Sequence, residues 1–450
     1  MAVARRIAPA PELAGLFPRI APQLPGGGAL AEVRERAWRR FLEQGLPSVK
    51  VEAWKYSRIP QQVNRPMGLA RPETPPAAVV REALAGGPHA RRLVFANGIA
   101  VPSLAHLGGL PQGVRVLPLE EAIARFPERV AEAFARIEDD RGFTDLNTAL
   151  CRSGAWIELD PGVELTWPLQ LLFVAMGGEA AAMTHPRVVV RLGEGAKLHL
   201  IESHVSGRDG AVFTNAVLQA EIGEGARLVL ERAVMLDADQ TLLDEAVCEL
   251  AAGARLLANG ATLGGGLVRG ELEVHFRGEG GEALLNGLYV TRGREHVDTA
   301  VRVLHHAGGC HSDQFFKGVL DEQAHAVFAG RITVAPGAQR SDAYQVNRNL
   351  LLSDEAEVDT RPELEIEADD VRCTHGATVG CLDPNALFYM RARGLAPEVA
   401  EAMLTYAFAA EVVERMVDAD LARKVRRAIL RRVPGGARLE TEGLLEEVPA

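Results

Sequence analysis

The chain has 450 residues, of which 47% are hydrophobic and 24% charged, a composition typical of a folded protein rather than a disordered or collagen-like one. Its 60 acidic side chains outnumber 49 basic ones, and the net charge of -11 has the wrong sign for wrapping nucleic acid or binding anionic lipid. Glycine supplies 45 residues and aromatic residues only 5%. Many tight turns and few ring-packed helices favour a turn-rich β fold.

Neither a membrane span nor a secretion signal is predicted. The longest apolar run, LQLLFVAM at 169–176, is far shorter than the roughly 20 residues that cross a bilayer, and Pro9 and Pro11 interrupt the N-terminal apolar stretch. The cysteines form no close C-x-x-C pair, which favours neither a disulfide framework nor a zinc finger; they are at positions 151, 248, 310, 373 and 381. We therefore expect a cytoplasmic protein in a reducing compartment.

The N-terminal region is predicted to be helical and to end in a linker. Residues 29–44 carry apolar side chains near helical spacing, and Gly45 follows as a stop; these side chains are Leu30, Val33, Ala37 and Phe41. A proline-rich segment from Pro60 to Pro76 is typical of a linker or an irregular wrap.

A small α/β connector is expected next. The stretch RRLVFANGIAV at 91–101 predicts a hairpin around Asn97 and Gly98. Residues 119–137 predict one helix that tolerates Pro127.

From about residue 154 to 371, short β-branched runs alternate with glycines, and one phrase repeats. LGEGAKL begins at 192, IGEGARL at 222 and LAAGARL at 250, and the weaker GEGGEAL begins at 278. A fixed period in this range indicates a solenoid, so we predict a mainly β protein with a right-handed parallel β-helix core. The rival is a β-sandwich, which would not need one turn phrase to recur at a fixed interval.

After residue 383 the pattern is helical again. Asp383 and Pro384 are typical of a helix start, NALFYMRARG runs to Gly394, and Pro397 opens a second helix. The last helix, at 419–433, is strongly basic, which fits either a solvated face or a docking surface. The expected organisation is an N-terminal helical region and linker (1–90), an α/β connector (91–153), a β-helix core (154–382) and a C-terminal helical domain (383–450).

Two clusters of soft or titratable residues could carry chemistry. The string HHAGGCH at 305–311 could hold a soft metal, but no carboxylate or thiolate pair completes it. In ADDVRCTHGATVGCLD, Cys373 and His375 are two apart, so on an extended strand they share a face. Thiolate and imidazole suit iron, zinc or an iron-sulfur cluster, but two ligands do not close a site. Further donors would come from Cys381 or another subunit.

Two other interpretations of this pair remain open. A Cys-His nucleophilic pair is disfavoured because side chains that leave one strand rarely reach a third orienting group, and no oxyanion motif is evident. A buried cysteine beside a satisfied histidine at a strand end would have only a structural role.

Several phrases resemble the SufB/SufD family of iron-sulfur cluster assembly proteins over about residues 45–416. They are RPELEIEADDVRCTHGATVG, LDPNALFYMRARGL, SDAYQVNRNLLLSDEAEVDTRPELEI and GLPSVKVEAWKYS. The C-[ST]-H-G-A-T-V-G and E-A-W-K-Y phrases indicate the SufD branch.

The resemblance implies a non-catalytic scaffold rather than an enzyme. It would pair with a SufB-like protein through its β-helix and recruit a SufC-like ABC ATPase through its C-terminal helices. The chain has no P-loop of its own, because none of its lysines follows a glycine; they are at positions 50, 55, 197, 317 and 424.

Carried over by motif, His375 would be a ligand of a transient iron-sulfur cluster that is shared with the SufB-like partner, and Cys373 would be its neighbour. No cluster is expected to stay on the isolated chain. The expected ATPase-docking residues are Leu387, Phe388, Tyr389, Arg391, Arg393, Met403, Tyr406 and Phe408.

This sequence departs from the family pattern at three positions near His375. Thr374 replaces the commoner Ser, Glu367 stands where Tyr is usual, and Cys381 stands where Gln or Arg is commoner. Cys381 is then either an extra soft ligand or a small buried residue.

The alternatives to a scaffold are a secreted-type β-helix enzyme that acts on polysaccharide and a purely structural homodimer that pairs through strand edges. The low aromatic content argues against the enzyme. Family members in isolation are also expected to form homodimers, so a symmetric pair would be compatible with the scaffold.

Overall fold

The structure, a computed structural model, describes residues 6–137 and 142–441. Its strands are β1 (Arg6–Ile7), β2 (Leu46–Pro47), β3 (Gly68–Leu69), β4 (Arg91–Ala96), β5 (Ile99–Ala100), β6 (Val114–Pro118), β7 (Gly154–Leu159), β8 (Leu169–Met176), β9 (Ala182–Thr184), β10 (Arg187–Leu192), β11 (Lys197–Arg208), β12 (Val212–Ile222), β13 (Arg227–Met235), β14 (Thr241–Leu250), β15 (Arg255–Thr262), β16 (Leu267–Phe276), β17 (Glu282–Thr291), β18 (His296–His305), β19 (His311–Leu320), β20 (His325–Val334), β21 (Asp342–Leu351), β22 (Glu357–Ile366) and β23 (Arg372–Gly380).

Helices flank the strands at both ends of the chain. They are α1 (Pro11–Ala14), α2 (Leu16–Ile20), α3 (Ala29–Gln44), α4 (Ile59–Val63), α5 (Ala77–Ala83), α6 (Leu119–Arg125), α7 (Pro127–Ala135), α8 (Gly142–Leu150), α9 (Pro384–Ala392), α10 (Pro397–Val413), α11 (Ala419–Arg432) and α12 (Gly436–Thr441). Across residues 6–137 and 142–441, no helix has both the length and the apolar character that a bilayer crossing requires.

The central strands form a parallel β-solenoid of about eight turns, as predicted. Sheet 1 runs from β6 and β7 through the even-numbered strands β10 to β22, and sheet 2 runs from β5, β4 and β8 through the odd-numbered strands β11 to β23. Successive strands alternate between the sheets, so each turn adds one strand to each. The ladders from β7 to β22 and from β4 to β23 are parallel, which rules out the antiparallel sandwich.

The repeated phrase lies at the turn that leads from sheet 1 to sheet 2. Its αL glycine is Gly195, Gly225, Gly253 and Gly280 in successive turns, with φ between 62° and 72°. The amide of Gly195 donates to the carbonyl of Glu224 over 2.8 Å, and that of Gly225 to Ala252 over 2.9 Å. The glycine therefore recurs because each turn needs a left-handed residue and stacks on the next turn.

Residues 91–153 begin both sheets. β4 pairs with β8 in parallel, and β6 pairs with β7 in antiparallel fashion. The predicted hairpin is present, with positive φ at Asn97 and Gly98. The single helix predicted over 119–137 is wrong: α6 ends before Phe126, whose backbone is not helical (φ -149°, ψ 65°), and Pro127 starts α7. A residue that precedes proline is driven out of the helical region, which separates the two helices.

The N-terminal helices cover the outer face of sheet 1. α3 has the predicted bounds, and its predicted apolar side chains are buried; Gly45 ends it with φ 69°. Trp38 and Phe41 of α3 share a core with Phe213 and Leu243 of sheet 1. The proline-rich segment contains α4 and β3 and is otherwise irregular.

The C-terminal helices cover the outer face of sheet 2. Val412 of α10 and Val425 of α11 share a core with Leu288 and Phe315 of that sheet. The buried Glu231 carboxylate on β13 accepts hydrogen bonds from the backbone amides of Val417 (2.7 Å) and Asp418 (2.8 Å). These contacts fasten the segment between α10 and α11 to the solenoid.

Two of the basic side chains of α11 contact other parts of the chain. Lys424 donates to the carbonyl of Glu82 on α5, and Arg432 pairs with Glu295. Arg432 Nε also donates to the carbonyl of Val290 over 3.1 Å. Lys424 and Arg432 therefore help to dock the helix on the rest of the chain, whereas Arg423, Arg427 and Arg431 are exposed and form the solvated basic face that was one of the two expectations.

Candidate functional site

The solenoid ends at an open pair of strands. β22 is the last strand of sheet 1 and β23 the last of sheet 2, so each has a pairing edge that no other strand covers within residues 6–137 and 142–441. Two large apolar side chains, Ile366 and Val379, are 42% and 49% exposed there. An exposed, apolar, parallel edge is a template for pairing with another chain.

Cys373 and His375 lie together on β23. Their strand spacing places them on one face, and Cys373 packs against the interior core of the solenoid. His375 is therefore on the interior side of the final turn, in register with Gln345 of β21, and it is exposed because no turn follows. The structure thus places an imidazole at the mouth of the solenoid with a half-buried thiol beside it.

The environment of Cys373 keeps its sulfur protonated. Burial raises the pKa of the Cys373 thiol, and the nearby Asp342 carboxylate raises it further, although a hydrogen bond with the Ala343 backbone acts in the opposite direction. Because metals bind the thiolate, a metal that binds this sulfur has to displace its proton.

Cys381 is exposed one residue beyond β23, in the short connection to α9. Among the residues that the structure describes, Cys373, His375 and Cys381 do not form a group with donor atoms close enough to hold one metal ion. The chain brings two of the three predicted residues together and leaves the ligand set incomplete.

The HHAGGCH string is divided between the interior and the surface. His305 is buried inside the solenoid, where its Nε2 is 3.0 Å from Ser312 Oγ, and Cys310 is buried at the following turn. His306 is on the outer surface and pairs with His275, with Nε2 and Nδ1 3.1 Å apart. These residues are close in sequence, but the end of a strand separates them in space.

Helix α9 presents the N-terminal part of the predicted docking set. None of its residues is fully buried, and Phe388 and Tyr389 are 73% and 58% exposed. Arg391 and Arg393 are exposed and Leu387 is half-buried. Arg393 donates to the Tyr389 hydroxyl over 2.6 Å and lies over its ring. Among the described residues, this helix therefore exposes a surface of aromatic and basic side chains.

The docking residues predicted on α10 have contacts of a different kind. Met403, Tyr406 and Phe408 are half-buried against the core that α10 and α11 share with sheet 2. The carbonyl of Phe408 accepts a hydrogen bond from the buried Lys317 ammonium over 2.9 Å, and its ring lies 4.1 Å from the same nitrogen. These side chains hold α10 on the solenoid.

Sequence reasoning missed a charged group inside the solenoid. Glu202, His204 and Asp244 have donor atoms within 4.8 Å of one another, but Arg232 lies among them and pairs with Asp244 and Glu202. Arg232 and His204 hold the pKa of Glu202 low although burial alone would raise it. The cluster is already compensated for charge and needs no ion.

A second missed group lies on the outer face of sheet 1. His325, Glu357 and Asp359 have donor atoms within 4.8 Å of one another, and His296 is in register with His325. His325 is 29 residues after His296, and Glu357 is 32 residues after His325. These intervals are close to the repeat length of the solenoid. A search of the sequence for histidines and carboxylates at that interval, as was done for the glycines, would have identified the group.

Comparisons with known proteins agree with this architecture. Residues 173–408 match the SUF system FeS cluster assembly SufBD core domain, and residues 27–171 match the SufBD protein N-terminal region. The chain is 34% identical to iron-sulfur cluster assembly protein SufD of Escherichia coli K12, over 89% of this chain and 92% of that protein. It is 30% identical to an iron-sulfur cluster assembly SufBD family protein of Synechocystis, over 76% and 77%. It is 26% identical to SufD of Bacillus subtilis, over 62% and 64%.

Both family models match, and together they cover most of the chain, including the solenoid and the strand that carries Cys373 and His375. The chain therefore belongs to the SufBD family of iron-sulfur cluster assembly proteins and is SufD-like within it.

Proposed function

We propose that this chain is a non-catalytic scaffold subunit of the SUF machinery, on which a nascent iron-sulfur cluster forms at an interface with a SufB-like partner. The observation that carries the proposal is the open end of the solenoid. Two uncovered strand edges are adjacent to an exposed His375 whose ligand set is incomplete. A second chain that pairs with these edges would supply the missing donors.

A shared site explains why two ligands are sufficient on this chain. A cluster needs thiolate or imidazole ligands on its irons, and here one imidazole and one weakly acidic thiol are available. A thiolate from the SufB-like partner would complete the set. Because each chain supplies only part of the ligand set, the cluster would also be released when the two chains separate, as a transient product must be.

The first experiment is anaerobic cluster assembly on the complex of this chain with its SufB-like and SufC-like partners. We expect His375→Ala to lower the yield of cluster at least about tenfold, since loss of even an outer partner of a metal ligand costs 10- to 100-fold. His311→Ala is the matched control, because His311 is a half-buried strand residue of the same sheet. An unchanged yield with His375→Ala would refute the ligand role.

We also propose that α9 recruits the SufC-like ABC ATPase, with Phe388 and Tyr389 as the anchors. Large aromatic and arginine side chains dominate protein interfaces, and α9 presents both types without cover. The chain itself has no P-loop, so nucleotide hydrolysis would belong to the partner. The α10 residues Met403, Tyr406 and Phe408 would support the site by holding α10 in place.

Point variants on α9 test the docking site without uncovering the core. We expect Phe388→Asp to reduce recovery of the ATPase by affinity capture from the chain's own cell extract at least about tenfold, as for an interface hot spot. Recovery of the SufB-like chain should be unaffected. Leu42→Asp is the control, because Leu42 is an exposed apolar residue on helix α3. Equal recovery of the ATPase by both variants would place docking elsewhere.

The proposal includes action in the cytoplasm, where the thiols stay reduced. The structure describes all five cysteines as free thiols. The polysaccharide-acting enzyme is not retained, because the matched family consists of cluster assembly proteins.

A further inference from the structure

The outer face of sheet 1 carries a group of histidine and carboxylate side chains that is separate from Cys373 and His375, which are on sheet 2. His296, His325 and Glu357 occupy equivalent positions on β18, β20 and β22, and Asp359 is two residues beyond Glu357. Residues in register on parallel strands project to the same side of a sheet. Three successive turns therefore align two imidazoles and two carboxylates.

The donor atoms of three of these four residues converge, and His296 lies beside them. Those of His325, Glu357 and Asp359 lie within 4.8 Å of one another, and His325 Nε2 is 2.9 Å from Asp359 Oδ2. The His296 and His325 rings are 4.7 Å apart between centroids and nearly perpendicular. Ligands on one first-row metal ion with bonds of about 2.0–2.2 Å are separated by about 3 Å, so small movements of His325, Glu357 and Asp359 would place them around one ion. His296 is outside this set of three and would join it by rotation of its side chain.

An ordinary ion pair between His325 and Asp359 does not account for the group. The Nε2 atom of His296 is buried and has no hydrogen-bond partner among the described residues. The Glu357 carboxylate likewise makes no hydrogen bond or ion pair within residues 6–137 and 142–441, although it is beside the pair. A buried, unsatisfied imidazole is costly unless something binds it.

The surrounding charges favour a cation. The nearest arginines of the sheet are already paired: Arg269 with Asp298, and Arg361 with Glu52. Arg58 is the exception, since it is within electrostatic range of His296 and no ion pair involves it in the described part of the chain. Two carboxylates outweigh this one exposed guanidinium.

We propose that His296, His325, Glu357 and Asp359 form a binding site for a single divalent first-row transition ion. Two imidazoles and one or two carboxylates suit Zn²⁺, Fe²⁺, Co²⁺ or Mn²⁺ and disfavour Mg²⁺ and Ca²⁺, which prefer all-oxygen shells. The site shares no residue with the proposed cluster-assembly site and does not depend on it.

Segment 52–58 lies over the same face and partly covers the group. Tyr56 meets His325 edge to face at 6.4 Å between ring centroids, Trp54 stacks on Arg269, and Glu52 pairs with Arg361. The segment covers His325 from one side, and His296 is half-buried while Glu357 remains exposed. An ion would therefore enter and leave along the Glu357 side.

The test is a titration of the metal-free, full-length protein with Co²⁺, in which the visible absorption of the bound Co²⁺ measures binding. We expect one equivalent to bind at this site with nitrogen and oxygen ligands, and Asp359→Asn and His296→Ala each to weaken its binding at least about tenfold. Asp359→Asn keeps the shape of the side chain, so a folding defect cannot mimic the result; circular dichroism confirms folding. Equal Co²⁺ binding by the wild-type and both variants would overturn the proposal.

Two control variants separate this site from the other possible ones. His375→Ala removes the imidazole beside Cys373, and His306→Ala removes the surface pair with His275; both should leave this equivalent intact. Charge-transfer bands of a cobalt-thiolate bond, lost in Cys373→Ser, would report the other site. Loss of the nitrogen and oxygen signal in His306→Ala but not in Asp359→Asn would also overturn the proposal.

Arg58→Gln gives an independent test. Removal of its charge should tighten Co²⁺ binding, whereas a purely structural role of the histidines predicts no change. Weaker binding in this variant would contradict the electrostatic argument.

Discussion

His185 and His305 are imidazoles that the fold keeps neutral. Burial lowers the pKa of His185 to about 3 and that of His305 to about 4. His185 Nδ1 is 3.2 Å from the Asn215 amide, and His305 Nε2 is 3.0 Å from Ser312 Oγ. In the unfolded chain both would have a pKa near 6.5, so acid favours the unfolded state.

We therefore expect the free energy of unfolding to fall as the pH decreases below about 6.5. Between the folded and unfolded pKa values the unfolded chain binds one more proton at each histidine, which costs about 1.4 kcal/mol per pH unit for each. Urea unfolding at pH 5 and 6 should show this slope, and His185→Gln should reduce it by about one proton. An identical slope in the variant would mean that folded His185 also accepts the proton.

At the scale of single residues, the position of a side chain could be predicted from the sequence where it depends on one strand or one helix alone. Alternation on a strand correctly placed Cys373 and His375 on one face, and helical spacing correctly identified the buried side of α3. For HHAGGCH the sequence left the ligand set incomplete, and the structure adds the reason: a strand ends within the string, so His305 points inward and His306 outward. The outer group around His325 was missed because its members come from three different turns.

Glycines inside the strands are not equivalent. A Cβ atom on Gly287 of β17 would overlap the Phe316 ring, whereas one on Gly270 of β16 would meet nothing within 4 Å. Both residues line an interior cavity of about 100 Å³ between the two sheets. Gly270 faces free volume, and Gly287 faces a packed ring.

This difference predicts opposite effects of the same substitution. Gly287→Ala should lower the free energy of unfolding by roughly 1–3 kcal/mol through overpacking. Gly270→Ala should be neutral or raise it by up to about 1 kcal/mol, because alanine restricts the unfolded chain and occupies empty space. Chemical denaturation of the two variants beside the wild-type measures both. A comparable loss in each would show that the strand backbone, not the ring, excludes a side chain.

At the scale of elements, the sequence predicted strands, turns and most helices, because each of these follows from local chemistry. The αL glycine marks each turn, and Asp383 caps α9 through a hydrogen bond to the Asn385 amide. The division of 119–137 at Pro127 was missed because the apolar pattern continues across it. The docking of α11 was not foreseen, since its acidic partners Glu82 and Glu295 come from distant segments.

For the whole molecule, the open strands predict self-association when partners are absent. We expect the isolated chain to form a dimer through the edges of β22 and β23, where Ile366 and Val379 are exposed. A charge at the centre of this edge should oppose pairing. Val379→Asp should therefore weaken the dimer at least about tenfold in sedimentation equilibrium.

Val49→Asp serves as the control, because Val49 is similarly exposed but lies outside the edge. The cluster-assembly proposal adds that Val379→Asp also weakens the complex with the SufB-like chain. A monomeric wild-type chain, or a dimer indifferent to Val379→Asp, would show that the strand edges do not pair two copies.

The two ends of the solenoid differ, and this polarity limits how far assembly can proceed. Sheet 2 begins with β5, a strand of only two residues, and sheet 1 begins with β6, which includes Pro118; short strands and proline blunt an edge against pairing. In the described part of the chain, the end formed by β22 and β23 is the open one. When two such chains pair through their open ends, the strand edges of β22 and β23 in both chains become covered. No open edge is then left for a third chain, so assembly stops at a closed pair and does not continue into a fibre.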